Sequence, residues 1–120
     1  MRKYAFLKEP LKQEDRFVHK VMIYTAEEGI YLFEYDHPDA ARCCGDLLYA
    51  SMEELLADWD ERIDERGWIE IEDPLPDCQA DAFIPLRIKG RNTGTPEWGR
   101  YETLKDGVWV DYDPNEKHGL

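Results

Sequence analysis

Residues 17–35 read FVHKVMIYTAEEGIYLFEY, and this stretch decides the fold that the sequence predicts. Both of its ends are rich in the β-branched and aromatic residues that favour strands, and the connection at residues 26–29 ends in a glycine. Two such runs around a short, glycine-containing connection predict a β-hairpin. We place Thr25 opposite Ile30, a register that continues as far as His19 opposite Asp36.

Both faces of this hairpin are apolar, whereas a half-exposed strand alternates apolar with polar residues. One face holds Phe17, Val21, Ile23, Ile30 and Leu32; the other holds Val18, Met22, Tyr24, Tyr31, Phe33 and Tyr35. A helix is about 10 Å wide and strands lie about 4.8 Å apart, so one helix covers two or three strands on a single face. The second face needs another cover, either the rest of the chain or a second protein surface.

A capping box marks the start of the helix that would cover the first face. The Ser51 hydroxyl is placed to accept from the Glu54 amide, and that glutamate is placed to reach back. The apolar residues that follow recur at helical spacing and form one stripe: Met52, Leu55, Leu56, Trp59 and Ile63. Gly67 suits the left-handed position past a helix end. The pattern predicts a helix over about residues 52–66.

Further strands are predicted at residues 4–7, 68–72 and 83–89, and a second hairpin at residues 101–104 and 108–112. Asp106-Gly107 supports the positive backbone dihedrals that such a hairpin turn requires. At 120 residues, one domain is expected to span the whole chain, residues 1–120. The predicted fold class is α+β: a mostly antiparallel sheet of five or six strands with one main helix packed on one face.

The charge is strongly negative and unevenly spread. The chain has 27 acidic and 15 basic residues, a net charge of −12, and residues 27–81 hold 18 of the acids against Arg42, Arg62 and Arg66 alone. Such a surface repels phosphate backbones and attracts basic proteins, so we expect no nucleic-acid partner. No apolar run is long enough for a membrane span, so no membrane partner is expected either.

The cysteines and the N-terminus indicate a cytoplasmic protein. Three cysteines leave an odd one, which argues against a disulfide scaffold and favours a reducing compartment. The apolar stretch at the N-terminus breaks at Lys8, which is too short for the core of a secretory signal.

These features favour a protein-binding module, inhibitor-like or regulatory, over an enzyme. The residues we expect at its interface are the tyrosine-rich hairpin face and the acids on the outer side of the helix: Tyr24, Tyr31, Phe33, Tyr35, Asp58, Asp60, Glu61, Asp64 and Glu65. The rings would supply burial and the acids would steer a basic partner. A homodimer that buries the aromatic face against itself is a further possibility.

The alternative is a small enzyme, or a domain that binds a small molecule or an anion. The basic residues Arg87, Lys89, Arg91 and Arg100 lie among glycines whose backbone amides can approach an anion. They lack the spacing of a phosphate-binding loop. A histidine paired with a carboxylate, such as His19 with Asp36, is the usual form of an acid–base unit.

Metal binding and thiol chemistry have weaker support. The side chains of His37, Cys43, Cys44 and Cys78 offer metal-binding atoms, but without the paired spacing of zinc sites, so we predict no metal and no cofactor. Adjacent Cys43 and Cys44 beside Arg42 are candidate nucleophiles, with no local signature framing either thiol.

Overall fold

The predicted hairpin forms the middle of a five-stranded antiparallel sheet. The computed structural model describes residues 1–113, and in that part of the chain it has eight strands and one α-helix, which confirms the α+β class. The elements are β1 (Arg2–Gln13), β2 (Arg16–Ala26), β3 (Gly29–Tyr35), β4 (Gly45–Tyr49), α1 (Met52–Trp59), β5 (Ile69–Ile71), β6 (Leu86–Ile88), β7 (Tyr101–Lys105) and β8 (Val108–Tyr112). The first sheet has the order β4-β3-β2-β1-β5.

The chain divides into two compact units, residues 1–73 and residues 74 onward. The five-stranded sheet and the helix belong to the first unit, and a separate antiparallel sheet, ordered β6-β7-β8, belongs to the second. The prediction had treated these strands as one sheet of five or six. That the two units fold as a single domain stays a prediction.

The register of the β2–β3 hairpin is the predicted one. Thr25 lies opposite Ile30, and the ladder continues without a shift to Lys20 opposite Tyr35. It ends there, one pair before the predicted partnership of His19 with Asp36. The short connection that ends at Gly29 fixes this register, and a slip by one residue would change every cross-strand pair.

A β-bulge between β1 and β2 changes which residues of β2 face the helix. Phe6 lies opposite Lys20, but the next pair along the ladder is Leu11 with Val18, so β1 has extra residues at this point. Val18 is therefore fully buried in the core and Phe17 is 49% exposed, the reverse of the prediction. An irregularity in the ladder shifts the alternation of the strand beyond it.

The helix covers the first face of the sheet, as predicted. Its buried residues, Leu55 and Trp59, join a core made with strand residues Ala5, Leu7, Val18, Val21, Ile23 and Leu32. The Ser51 hydroxyl accepts from the Glu54 amide at 3.2 Å and begins the helix. The side chain of Trp59 also donates to the Tyr49 hydroxyl at 3.0 Å, which ties the end of the helix to β4.

The helix ends earlier than residue 66. After Trp59 one turn of 3-10 helix runs over Asp60–Arg62, and Ile63 then becomes extended and forms a bridge with Leu7 of β1. The Asp64 amide donates to the Phe6 carbonyl at 2.9 Å, so pairing with the sheet replaces the last predicted turn. No helix within residues 1–113 is long and apolar enough to cross a membrane.

A buried carboxylate lies where β3 meets β4. Glu34 is 3% exposed, and its oxygens accept from the Gln13 amide at 2.7 Å and lie 3.6 Å from an Arg16 nitrogen. Arg16 also donates to the Cys44 carbonyl at 2.8 Å, directly before β4. A Cβ atom added to Gly45 would meet the Arg16 guanidinium, so a larger residue at the start of this strand would require Arg16 to shift.

The second unit contains the predicted C-terminal hairpin. Strands β7 and β8 pair from Tyr101 with Tyr112 to Lys105 with Val108. The two turn residues have positive φ angles, 51° at Asp106 and 79° at Gly107, as the Asp-Gly pair predicts. Strand β6 extends this hairpin and is shorter than the strand predicted over residues 83–89, because Pro85 cannot donate to a ladder.

Replacing the capping serine tests the start of the helix. We expect Ser51→Ala to lower the free energy of unfolding by about 0.5–2 kcal/mol, because the Glu54 amide loses its acceptor. Ser51→Asp keeps an acceptor and should retain most of the stability. Urea unfolding of the three proteins measures the difference; equal losses in both variants would contradict the capping role.

Candidate functional site

Three rings form a continuous flat surface on the face of the sheet opposite the helix. Tyr24 stacks on Phe33 with ring centroids 6.4 Å apart, and Phe33 stacks on Tyr31 at 5.8 Å with the planes 4° from parallel. We call Tyr24, Phe33 and Tyr31 the aromatic strip. All three side chains are partly exposed. The cross-strand pair of Tyr24 with Tyr31 aligns the rings of the strip.

The strip continues onto the edge strand β4. Leu48 lies opposite Tyr31 and is 55% exposed, and Asp46 lies opposite Phe33. Alternation places both on the side of the sheet that carries the strip. Sequence reasoning missed β4 altogether. Its one signal was the apolar pair Leu47-Leu48 directly before the helix cap, and a run that short predicts neither a strand nor a helix.

Two carboxylates, those of Glu28 and Asp46, act on Tyr31 of the strip. The Tyr31 hydroxyl hydrogen-bonds to Glu28, and this bond raises the pKa of the phenol; desolvation and the charges of Glu28 and Asp46 act in the same direction. A cation brought to this ring would therefore meet negative charge beside an aromatic face. The combination suits arginine, which stacks on rings and pairs with carboxylates.

Tyr35 does not belong to this surface, although the sequence placed it there. It is fully buried, its hydroxyl lies 3.8 Å from the Met22 sulfur, and the Lys20 ammonium lies 5.0 Å from the centroid of its ring. Strand alternation correctly assigns Tyr35 to the same face as the strip. It says nothing about what covers that end of the face, so the burial was not predictable.

Lys20 is the least expected residue near this surface. It is 4% exposed, and its ammonium donates to the Ala40 carbonyl at 3.0 Å. Burial lowers the pKa of the amine from 10.5 to about 8, and the nearby charge of Asp39 opposes that shift. A buried lysine keeps its charge at neutral pH only at a cost in stability.

The five predicted acids lie in three different settings. Asp58 accepts from the Tyr49 hydroxyl at 2.8 Å, and Asp60 accepts from the Trp68 indole at 3.0 Å, so both help to hold the first unit together. Asp64 and Glu65 lie beyond the end of the helix rather than on its outer side, and Asp64 is paired with Arg66 at 2.6 Å. Glu61 is exposed in the 3-10 turn.

Three of the four predicted anion-binding residues contact carboxylates of their own unit. Arg87 pairs with Glu102 at 3.1 Å and covers the Trp109 ring, and Lys89 pairs with Asp111 at 2.9 Å. Arg100 lies 3.8 Å from Glu97, at longer range and more exposed. Arg91 is exposed in the 3-10 turn Arg91–Thr93. An anion at this place would have to compete with these carboxylates.

The remaining candidates are the metal-binding set, the Cys44 thiol and the pair of His19 with Asp36. Within residues 1–113 no three histidine, cysteine or acidic side chains come close enough to hold a metal ion. Burial is the main cause that raises the pKa of the Cys44 thiol, and this disfavours the thiolate although Arg16 opposes the shift. Asp36, one half of the proposed acid–base unit, is exposed beyond the end of the ladder.

The chain matches no protein-family model, no curated protein and no solved structure at a significant level. Its function therefore has to be argued from the geometry of its own surface.

The buried lysine predicts how stability depends on pH. Between about pH 8 and 10.5 the unfolded chain holds a proton on Lys20 that the folded chain has released, so raising the pH stabilises the fold by at most about 1.4 kcal/mol per unit. Lys20→Met should remove this rise, and Lys12→Met, at an exposed position, should keep it.

Urea unfolding at about pH 7 and about pH 9 measures the effect. The other titrating groups are common to all three proteins, so only the difference between their pH profiles matters. Equal profiles for the Lys20 variant and the unmodified protein would contradict the assignment.

Proposed function

We propose that the protein is a binding module for a basic protein, inhibitor-like or regulatory, which docks on the aromatic strip. The observation that carries the proposal is the partly exposed stack of Tyr24, Phe33 and Tyr31 with the carboxylates of Glu28 and Asp46 beside Tyr31. Tyrosine-rich surface is enriched at protein interfaces because rigid rings bury a large area at little entropic cost.

Arginine is the partner side chain that this surface suits best. Its guanidinium can stack on the Tyr31 or Phe33 ring while its nitrogens reach the carboxylate of Asp46 or Glu28. Lysine makes only the second kind of contact well, since its ammonium is compact and strongly hydrated. An acidic partner would meet repulsion from both carboxylates.

The charge of the first unit supports the same kind of partner. Residues 1–73 carry 19 acidic and nine basic side chains. This excess attracts a basic protein over a distance set by the ionic strength and speeds its encounter at low salt. Of the predicted acids, we retain Asp58, Asp60 and Glu61 in this steering role, which needs charge rather than direct contact.

We expect this binding to take place in the cytoplasm. The reason remains the odd number of cysteines in a chain of 120 residues, which suits a reducing compartment.

An arginine-rich peptide tests the docking surface. We expect a heptapeptide of alternating arginine and valine to bind the protein more weakly as salt rises, and the corresponding glutamate–valine peptide not to bind. Tyr31→Ala should weaken the interaction about tenfold or more, because it removes a ring of the strip. Titration calorimetry measures the affinity and its salt dependence.

Phe17→Ala is the matched control, since Phe17 is an exposed ring of the same sheet outside the strip. Equal affinities for the Tyr31 and Phe17 variants, or binding of the acidic peptide, would overturn the proposal. The molar mass in solution, measured by light scattering, tests whether a second copy of the chain occupies the strip instead. A dimer at low and high salt that Tyr31→Ala dissociates would assign the strip to a second copy of the chain.

A further inference from the structure

Strand β4 is an edge of the five-stranded sheet. Within residues 1–113 its hydrogen-bonded neighbour is β3 alone, along a ladder from Ile30 with Tyr49 to Glu34 with Gly45. In an antiparallel ladder alternate residues direct their backbone N–H and C=O groups away from the neighbour. About half of the backbone groups of β4 therefore point outward from the sheet.

This edge lacks the features that usually protect an edge strand. Its sequence, Gly-Asp-Leu-Leu-Tyr, contains no lysine and no proline, and its ladder with β3 has no bulge. Leu47 is 41% exposed and Leu48 is 55% exposed. The opposite edge, β5, is only three residues long and has the exposed Glu70 at its centre. Of the two edges of this sheet, β4 is the one that a further strand can join.

We propose that β4 binds an extended, basic segment of the partner, which adds to the sheet as a sixth strand. The inference rests on the proposed function and specifies how that partner is held. Backbone hydrogen bonds along β4 would supply affinity, and the side chains that flank the new strand would supply selectivity. The aromatic strip, which begins at the next strand, continues the same binding surface.

Carboxylates on both sides of β4 determine that the segment is basic. Asp46 projects on the side of the strip, where Glu28 is bonded to Tyr31. On the helix side, Asp58 accepts from the Tyr49 hydroxyl. The positive charge of Arg16 lies near the start of β4, but Arg16 donates to the Cys44 carbonyl and pairs with Glu34, so it offsets the charge of Glu34 rather than that of Asp46. A second copy would instead bring to this edge a chain that carries the same net charge of −12, so charge repulsion disfavours it.

The two sides of β4 also determine the pattern of the segment. Successive side chains of an added strand alternate between the two faces of the sheet. Those on one face lie beside Leu48 and Asp46, on the side of the sheet that carries the strip, and arginine suits this face. Those on the other face lie beside Leu47 and the helix, where an apolar side chain fits. A segment that alternates arginine with a β-branched residue satisfies both faces.

Backbone methylation of the arginine–valine heptapeptide distinguishes an added strand from docking by side chains alone. Two peptides are compared, one methylated on the backbone nitrogens of all its arginines and the other on those of all its valines. An added strand uses the N–H groups of one set only, so we expect one methylated peptide to lose affinity at least tenfold and the other to bind like the parent. Equal affinities for all three peptides would overturn the inference.

A charge placed on the edge gives a second test. Leu48→Lys introduces the residue that commonly blocks edge strands and should weaken binding of the parent peptide at least tenfold. Val108→Lys is the matched control, because Val108 is 59% exposed on β8, an edge of the other sheet. Binding that is equal in these two variants would also contradict an added strand.

The two proposals fail in different ways. If Tyr31→Ala weakens binding while methylation does not, the strip binds side chains and the edge inference is wrong. If no form of the peptide binds, both proposals are wrong. Light scattering of the unliganded protein tests whether a second copy of the chain occupies β4 instead. A dimer that Leu48→Lys dissociates would assign this edge to a second copy and overturn the inference of a basic segment.

Discussion

The β2–β3 ladder sets the constraint on which the first unit depends, because both of its faces are apolar. On one side Val21, Ile23 and Leu32 pack beneath the helix residues Leu55 and Trp59. The single helix has no reach to the other side, where burial is complete at Met22 and Tyr35 and partial at the strip. The surface that we propose for a partner is thus the part of this apolar face that stays partly exposed.

The packing of the helix also determines the shape of the edge beside it. Tyr49 ends β4, packs against the core, and bonds through its hydroxyl to both Asp58 and Trp59. These bonds hold the last residue of the edge strand to the end of the helix, while Arg16 holds the carbonyl before its first residue. A strand anchored at both ends is preorganised, so a binding segment would pay little to order it.

The sequence predicted the features that depend on neighbouring residues, and it did not predict those that depend on pairing between residues far apart in the chain. The hairpin register, the helix start at Ser51 and the Asp106-Gly107 turn follow from residues that are neighbours in the chain. The burial of Val18 depends on the bulge opposite it, and the helix end depends on Leu7, more than 50 residues from Ile63. The carboxylates that engage Arg87 and Lys89 were likewise invisible before β6, β7 and β8 had been placed side by side. For the candidate site, the strip was predictable by alternation and the edge strand was not.

The unprotected edge has a consequence for how the protein behaves at high concentration. Natural sheets prevent edge-to-edge pairing locally, with a lysine, a proline or a bulge, and β4 has none of these. Repulsion between chains that each carry a net charge of −12 is what opposes pairing of two β4 edges. Global repulsion is a weaker guard than a local one, because acid neutralises it and salt screens it. As the pH approaches the isoelectric point of about 4.6, the chains lose the force that keeps their edges apart. The edge that we propose as a receptor for another strand is then also the place where we expect self-assembly to begin.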